Sequence, residues 1–370
     1  MAWWARRRLS LALVFLSLPL LLAVYIKSQL SQLSRPSWFA YAPDNNQGIL
    51  FRLDRDDELS PRPISQHASN LTVNLVIASL ANDDISWTEK LRDYLPNLRI
   101  IRYVSDSTDA PYHPPVPRKG REALIYHTYF YDFYDDLPDI SIMAHPHENP
   151  WHVEPSLLRS MTFALSRLNL QRVLERRYFN LRISWREACP ARINTTRPES
   201  ESTSKEESYM RQAFKNNFDG PVPDIMAGAC CSQFAVSRDA IRRNPRSQYK
   251  KHMNWLINTG IRDYITGRVW EHLWPWLFLG EAVNCPPEKE TYCDMYGVCF
   301  DDDETPRTIN EFAQERRTLE EKTEFWIEIF RPYGGVYARK RIPEIDGTIR
   351  KEVALAVANG ARERMRNEIP

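Results

Sequence analysis

From residue 71 onward, short apolar runs alternate with polar turns, and this pattern predicts an α/β fold. Residues 71–78 are mostly apolar, with Thr72 and Asn74 as the exceptions, which is typical of a buried strand. Residues 87–94 have helical spacing, and residues 99–104 form a second strand-like run. A strand, a helix and a strand at this spacing predict a βαβ unit, and therefore a mostly parallel sheet flanked by helices.

The stretch 119–152 combines a glycine-led turn, an aromatic helix, a third strand at 140–144 and three histidines. His145 and His147 directly follow that strand, and His152 comes soon after. Alternate side chains of an extended segment point the same way, so His145 and His147 are expected to converge on one ligand.

The remaining pattern is mainly helical, with one apolar return to the sheet at 224–237. A polar segment at 198–207 is expected to be a mobile surface loop, and residues 301–304 an acidic loop. The predicted helices cover 155–181, 241–256, 268–279, 309–330 and 349–367, the last two separated at residues 332–335.

The N-terminus predicts a membrane anchor. Residues 1–8 contain Arg6-Arg7-Arg8 and would form a cytoplasmic tail, whereas the uncharged run 9–26 nearly crosses a hydrocarbon core of about 30 Å. A cleaved signal peptide is the alternative. The predicted organisation then continues with a stem at 27–70, a luminal domain at 71–300 and a helical extension at 301–370.

Charge and cysteine content agree with a secretory compartment. The chain has 49 basic and 48 acidic residues, so its charge does not call for nucleic acid. Six cysteines without paired C-x-x-C spacing favour disulfides over zinc, although six free thiols inside the cell are the alternative. Cys285, Cys293 and Cys299 are close in sequence, which predicts at least one bridge among them. Asn70 and Asn194 begin two glycosylation sequons.

The histidines are the first candidates for chemistry. Neutral imidazole is a good ligand for a divalent transition metal, and Glu148, His152 or a carboxylate from another strand end could complete the set with His145 and His147. The alternatives are direct contact with a polar ligand without metal, or hydrogen bonds within a folded loop.

Two groups of carboxylates are further candidates. Asn82, Asp83 and Asp84 follow the first strand, where a carboxylate can accept hydrogen bonds from a ribose or base. Asn82 or Asp84 could equally cap the helix near Trp87. Glu271 lies in a helix of core-type residues and is a candidate general base, with pairing to Arg268 as the alternative.

A set of short motifs extends over about residues 73–300. They are Val76-Ile77-Ala78-Ser79, Asp84-Ile85-Ser86-Trp87, Lys119-Gly120-Arg121-Glu122-Ala123, Leu137-Pro138-Asp139, Trp151-His152, Gly267-Arg268-Val269-Trp270-Glu271-His272 and Asn284-Cys285-Pro286. The most specific is Gln233-Phe234-Ala235-Val236-Ser237-Arg238. Together these motifs resemble the fungal family called domain of unknown function 3431, which usually has His-Gly-His where this chain has Pro146.

That family's layout is similar to GT-A-fold glycosyltransferases, in which an Asp-x-Asp motif ending a strand binds metal and sugar-nucleotide phosphates. His145-Pro146-His147 lies where that motif would be. The similarity implies a divalent metal, Mn or Mg, and assigns a role to each candidate residue. Asn82, Asp83 and Asp84 would face the donor nucleotide, Lys119 and Arg121 the phosphates, His145, His147 and His152 the metal, Gln233 and Arg238 the acceptor, and Glu271 the acceptor hydroxyl.

The leading hypothesis is therefore a type II, single-pass Golgi protein with a luminal domain that transfers a sugar from a nucleotide donor to a glycan acceptor. One alternative is a non-catalytic luminal protein that binds glycans or partners through the same cleft. A metal-dependent hydrolase that uses the histidines is the other.

Overall fold

The computed structural model describes Leu59 and residues 70–186, 188–321 and 332–367, all within one compact unit spanning Gly48–Pro370. The predicted tail and membrane span, and nearly all of the predicted stem, lie outside the described residues. Within those residues, no helix is both long and apolar enough to cross a membrane.

Strands in the described residues form two sheets. The larger has the order β2-β1-β3-β7-β4, and the smaller has the order β5-β6-β8. The strands are β1 Val73–Ser79, β2 Leu98–Val104, β3 Ile140–Ala144, β4 Tyr178–Asn180, β5 Ile193–Asn194, β6 Ile225–Gly228, β7 Phe234–Ser237 and β8 Val283–Asn284.

The predicted βαβ unit is confirmed, because β1 pairs in parallel with both β2 and β3. The expectation of a mostly parallel sheet needs correction, since β7 runs antiparallel to its neighbours β3 and β4 and the sheet is mixed. The cause is the turn that precedes β7. Its Gln233 contacts the backbone of His145 at the carboxyl end of β3, so the chain enters β7 from that edge and must run backwards.

The helices of the described residues surround this sheet. A 3₁₀ helix at Ser86–Asp93 connects β1 to β2. The α-helices are α1 Glu122–Asp132, α2 Met161–Arg167, α3 Leu170–Arg176, α4 Glu207–Asn217, α5 Arg238–Arg242, α6 Arg246–Asn258, α7 Asp263–Leu279, α8 Glu288–Tyr296, α9 Glu304–Glu321 and α10 Pro332–Asn367.

Two helical predictions and one loop prediction were wrong in extent. The expected helix at 155–181 is divided into a 3₁₀ turn, α2, α3 and the edge strand β4. The segment 198–207 is not wholly a surface loop, because Glu206 and Glu207 at its end are buried and ion-paired. The last helix does not begin at 349 but at Pro332, where the fixed φ of proline suits a first helical turn.

Each face of the sheet carries its own core. Val73, Leu75 and Ile77 point to one face and pack with α2, α8, α9 and α10. Val76 and Ala78 point to the other and pack with α1, α4, α6 and α7. Burial on both faces explains why β1 is apolar without alternation.

All six cysteines are paired, which confirms the prediction of disulfides. The expected bridge within the late cluster joins Cys293 to Cys299. The other two bridges are Cys189–Cys285 and the adjacent pair Cys230–Cys231.

Candidate functional site

The candidate site, here called the cleft, consists of Glu122, His145 and Glu271 near the carboxyl end of β3, and it begins with the turn before α1. Gly120 and Arg121 both adopt positive φ in this turn. Their backbone N–H groups donate to Oδ1 of Asp263, at 2.6 and 3.3 Å, so the starts of α1 and α7 are joined. The next residue, Glu122, is thereby held at the cleft on the first turn of α1.

Glu122 is the functional candidate that the sequence analysis missed. Its side chain is only 5% exposed, and no described residue forms a hydrogen bond or ion pair with its carboxylate. Its negative charge acts on the pKa values of both His145 and Glu271, and carboxylates coupled to neighbouring titratable groups are common at functional sites. The signal in the sequence was a single acidic residue at the start of a helix whose next eight residues are all buried.

Glu271 on α7 is close enough to Glu122 to feel its charge, and its side chain remains partly exposed. Burial is the main cause that raises its pKa, to about 8, and the negative charge of Glu122 adds to the effect. Arg268 and the amide of Cys231 act in the opposite direction. Arg268 also forms an ion pair with Glu206, at 3.5 Å. The proposed general base is therefore a carboxyl group that titrates close to neutral pH.

His145 directly follows the carboxyl end of β3. Its backbone N–H donates to Oε1 of Gln233 at 3.1 Å, and its ring stacks on His152 with centroids 4.6 Å apart. Burial lowers the pKa of His145, an effect that Glu122 opposes and that His147 and Arg121 reinforce. Its imidazole is thus neutral at pH 7 and suited to accept a hydrogen bond or ligate a cation, but not to pair with a phosphate as a cation.

The histidines do not form a preformed metal site. His145 is buried, whereas His147 is exposed, so the expected convergence of the two side chains is incomplete. Glu148 bonds Thr162 and is not available as the third ligand in this arrangement. In the described part of the chain, the only three possible ligand atoms that lie within 4.8 Å of one another belong to Cys293, Cys299 and Glu363, and both cysteines are in a disulfide.

Arg182 and the Cys230–Cys231 disulfide contact each other on the β4 side of the site. Arg182 donates from Nε to Glu154 Oε1 at 3.1 Å and from Nη1 to Cys230 Sγ at 3.0 Å. Asn180 donates from Nδ2 to the carbonyl oxygens of the same turn, including that of Cys231 at 3.2 Å. The turn that carries Gln233 is therefore fixed from the β4 side.

The polar residues after β1 lie at the carboxyl end of that strand, and the side chains of Asp83 and Asp84 bond neighbouring backbone amides. Asp83 accepts from the N–H of Leu80, and Asp84 accepts from the N–H of Ser86, the first residue of the 3₁₀ helix. Asn82 is exposed. Asp84 thus binds one free amide of the first turn, but the N-cap residue is Ile85 and has no side-chain cap, so the predicted cap by Asn82 or Asp84 is not formed.

Three predicted phosphate or acceptor ligands lie elsewhere or bond other residues. Arg238 pairs with Asp139 at 2.9 Å, at the amino end of β3, so it does not lie with Gln233. This separation by the length of the strand corrects the expectation that both hold one acceptor. Lys119 donates to the carbonyl oxygen of Thr259, and Arg121 contacts Asp263 at 3.8 Å.

Both sequon asparagines reach solvent, Asn70 fully and Asn194 in part. Oδ1 of Asn194 accepts from the hydroxyl of Thr196 at 2.7 Å. Their glycosylation stays a prediction.

The fold and the cleft define an α/β protein with a carboxyl-rich site at the carboxyl edge of a mixed sheet. The chain belongs to the family described as Protein of unknown function (DUF3431), whose model matches residues 75–294. The match includes every cleft residue described above. Neither the curated proteins nor the solved structures provide a significant match.

Proposed function

We propose that this protein is a group-transfer enzyme of the glycosyltransferase type, with a sugar nucleotide as donor and a glycan hydroxyl as acceptor. The observation that carries the proposal is the Glu271 carboxyl group. It is partly exposed, has a pKa of about 8 and lies beside the unpaired Glu122. A general base is most effective when its pKa is near the working pH.

In the proposed reaction, the Glu271 carboxylate takes the proton of the acceptor hydroxyl. The hydroxyl oxygen forms a bond to the anomeric carbon of the donor sugar, and the bond from that carbon to the diphosphate breaks. The nucleoside diphosphate leaves with the electron pair. Glu122 keeps the proton affinity of Glu271 high through its charge, and neutral His145 can accept a hydrogen bond from a donor hydroxyl.

The proposal includes a divalent metal only as a requirement for donor binding, which the experiment with and without Mn²⁺ tests. The histidines do not bring three ligand atoms together, so no reaction step is assigned to a metal. Membrane anchoring and residence in the Golgi likewise stay proposals, which rest on the apolar run 9–26 and the preceding arginines.

Thermal unfolding of the full chain with UDP-sugars and GDP-sugars, each with and without Mn²⁺, tests the proposal. A bound donor at 100 times its Kd stabilises the folded state by about 2.7 kcal/mol, which raises the midpoint measurably. His145→Ala should abolish the shift, because it removes the imidazole of the cleft. His113→Ala is the matched control, since His113 bonds only the neighbouring Pro114 carbonyl.

Other outcomes separate the alternatives. Binding of free glycans without any nucleotide effect would support a non-catalytic glycan-binding protein. A metal-dependent shift without nucleotide preference would support a hydrolase. A chain that responds to no sugar nucleotide contradicts the proposal.

A further inference from the structure

A cavity of about 230 Å³ lies next to the cleft, beyond the free edge of β4. Its walls come from β4, from the segment that contains Trp185 and Cys189, and from residues 281–286. Sites for drug-sized ligands have volumes of about 300–1,000 Å³. The cavity is therefore too small for a sugar nucleotide and matches a single small ring.

The backbone of β4 offers unused hydrogen-bonding groups to this cavity. β4 is an edge strand that pairs only with β7. The amide of Ser237 donates to the Arg177 carbonyl at 2.8 Å, and the amide of Leu181 donates to the Gln233 carbonyl at 2.9 Å. Because bonding alternates along an antiparallel pair, Tyr178 and Asn180 direct their N–H and C=O groups away from β7, to the cavity side.

One aromatic face is held in place at the cavity. Trp185 is 36% exposed, and its indole Nε1 donates to the Pro286 carbonyl at 2.6 Å. Its backbone amide donates to Glu288 Oε1. An aromatic ring fixed in this way provides an apolar surface at little cost in conformational entropy.

The charges around the cavity favour a neutral ligand. Arg176 is paired with Asp294 at 3.1 Å, and Arg182 is paired with Glu154 at 3.1 Å, so both guanidinium groups are already compensated. Glu281, which accepts from Nδ2 of Asn284 at 2.8 Å, adds a negative charge. A phosphate would gain little here, whereas hydroxyl groups can both donate and accept.

We propose that this cavity binds one neutral sugar unit, with its C–H face on Trp185 and its hydroxyls on the β4 backbone and Asn284. The assignment of this cavity as the acceptor subsite rests on the proposed function. Position supports this role, because Arg182 and Asn180 line the cavity and also hold the Cys230–Cys231 turn. The other side of that turn faces Glu271, on whose pKa the Cys231 amide acts.

Saturation-transfer NMR of the full chain with the methyl glycosides of mannose, galactose, glucose and N-acetylglucosamine tests the proposal. At least one glycoside should bind, and Trp185→Ala should reduce its saturation transfer at least fivefold. Trp185→Phe keeps an aromatic face and should retain most of the signal. Tyr209→Ala, which removes a comparably exposed aromatic on α4, should leave it unchanged.

The same experiment on Glu271→Gln separates this proposal from the proposed function. Sugar binding that persists in Glu271→Gln supports the cavity even if no donor nucleotide stabilises the protein. The proposed sugar subsite is overturned if none of the four glycosides binds, or if wild type and Trp185→Ala bind equally. Competition by inorganic phosphate would also overturn it, because the site would then select anions.

Discussion

Glu271 shows how a side chain acquires a role from its surroundings. Its position in a helix of core-type residues predicted an unusual carboxyl group, and its raised pKa of about 8 confirms that its environment is unusual. The partner that contributes to the shift, Glu122, is distant in sequence and was not predicted. Asp263 joins the start of α1 to the start of α7, and this contact helps to bring the two residues close.

The pKa of Glu271 predicts opposite pH trends for stability and activity. Its folded pKa of about 8 exceeds the ordinary value of 4.5, so the folded state binds more protons between these limits. The free energy of unfolding should therefore fall as the pH rises from about 4.5 to about 8. A base that must be deprotonated should instead give transfer rates that increase towards pH 8.

Urea titrations of wild type and Glu271→Gln at several pH values measure the first trend. The advantage of the variant should grow by up to about 5 kcal/mol across this window, because glutamine cannot ionise. Glu290→Gln, which neutralises an exposed carboxyl on α8, should show no such growth. If the free energies of unfolding of wild type and Glu271→Gln changed equally with pH, the raised pKa would be contradicted.

The turn before α1 determines where the cleft residues lie. The sequence predicted a glycine-led turn into an aromatic helix, and the structure confirms it. Gly120 has φ +82°, and a Cβ at this position would lie 2.4 Å from Cδ2 of Leu256 on α6. The turn needs glycine both for its backbone conformation and for the close approach of α6.

Gly120→Ala should consequently destabilise the protein by about 1–3 kcal/mol, through strain in the left-handed region and the clash with Leu256. It should also weaken donor binding, since Arg121 and Glu122 would shift. Gly260→Ala is the control, because a Cβ on Gly260 would meet no atom within 4 Å and the φ of this residue is not positive. Equal unfolding midpoints for the two variants would contradict this account of the turn.

The disulfides connect distant parts of the chain around the cavity. Cys189–Cys285 spans 96 residues and lies in the cavity wall, whereas Cys293–Cys299 spans only 6. The longer loop removes more conformational entropy from the unfolded chain. The bridge from Cys189 to Cys285 therefore contributes more to stability and also holds the Trp185 segment near β8.

Replacing Cys189 and Cys285 together by alanine should lower the free energy of unfolding by about 5 kcal/mol on the loop-entropy model, against about 2 kcal/mol for Cys293 and Cys299. Chemical denaturation under non-reducing conditions measures both. The first variant should also lose glycoside binding, and the second should keep it. A larger loss for the shorter loop would show that strain or packing, rather than loop entropy, dominates.

The predictable part of the fold is the part that depends on local patterns. The strands at 71–78, 99–104 and 140–144 were located within two residues, because each is a short, mostly apolar or β-branched run that ends at polar residues. β4 was missed, because three residues embedded in a helical pattern carry too little periodicity. The direction of β7 was missed as well, since it depends on which edge the preceding turn occupies.

The sequence by itself determined the α/β class, the parallel β1–β2–β3 unit, the glycine turn, the disulfide chemistry and the place of His145 at a strand end. These follow from periodicity, from proximity along the chain or from residue type. Only the tertiary structure decided that Glu122 meets Glu271, that Arg238 lies at the far end of β3, that His147 faces solvent and that a cavity opens beside β4. Each of these depends on long-range packing, because residues far apart in sequence become neighbours only after the sheet and helices have assembled.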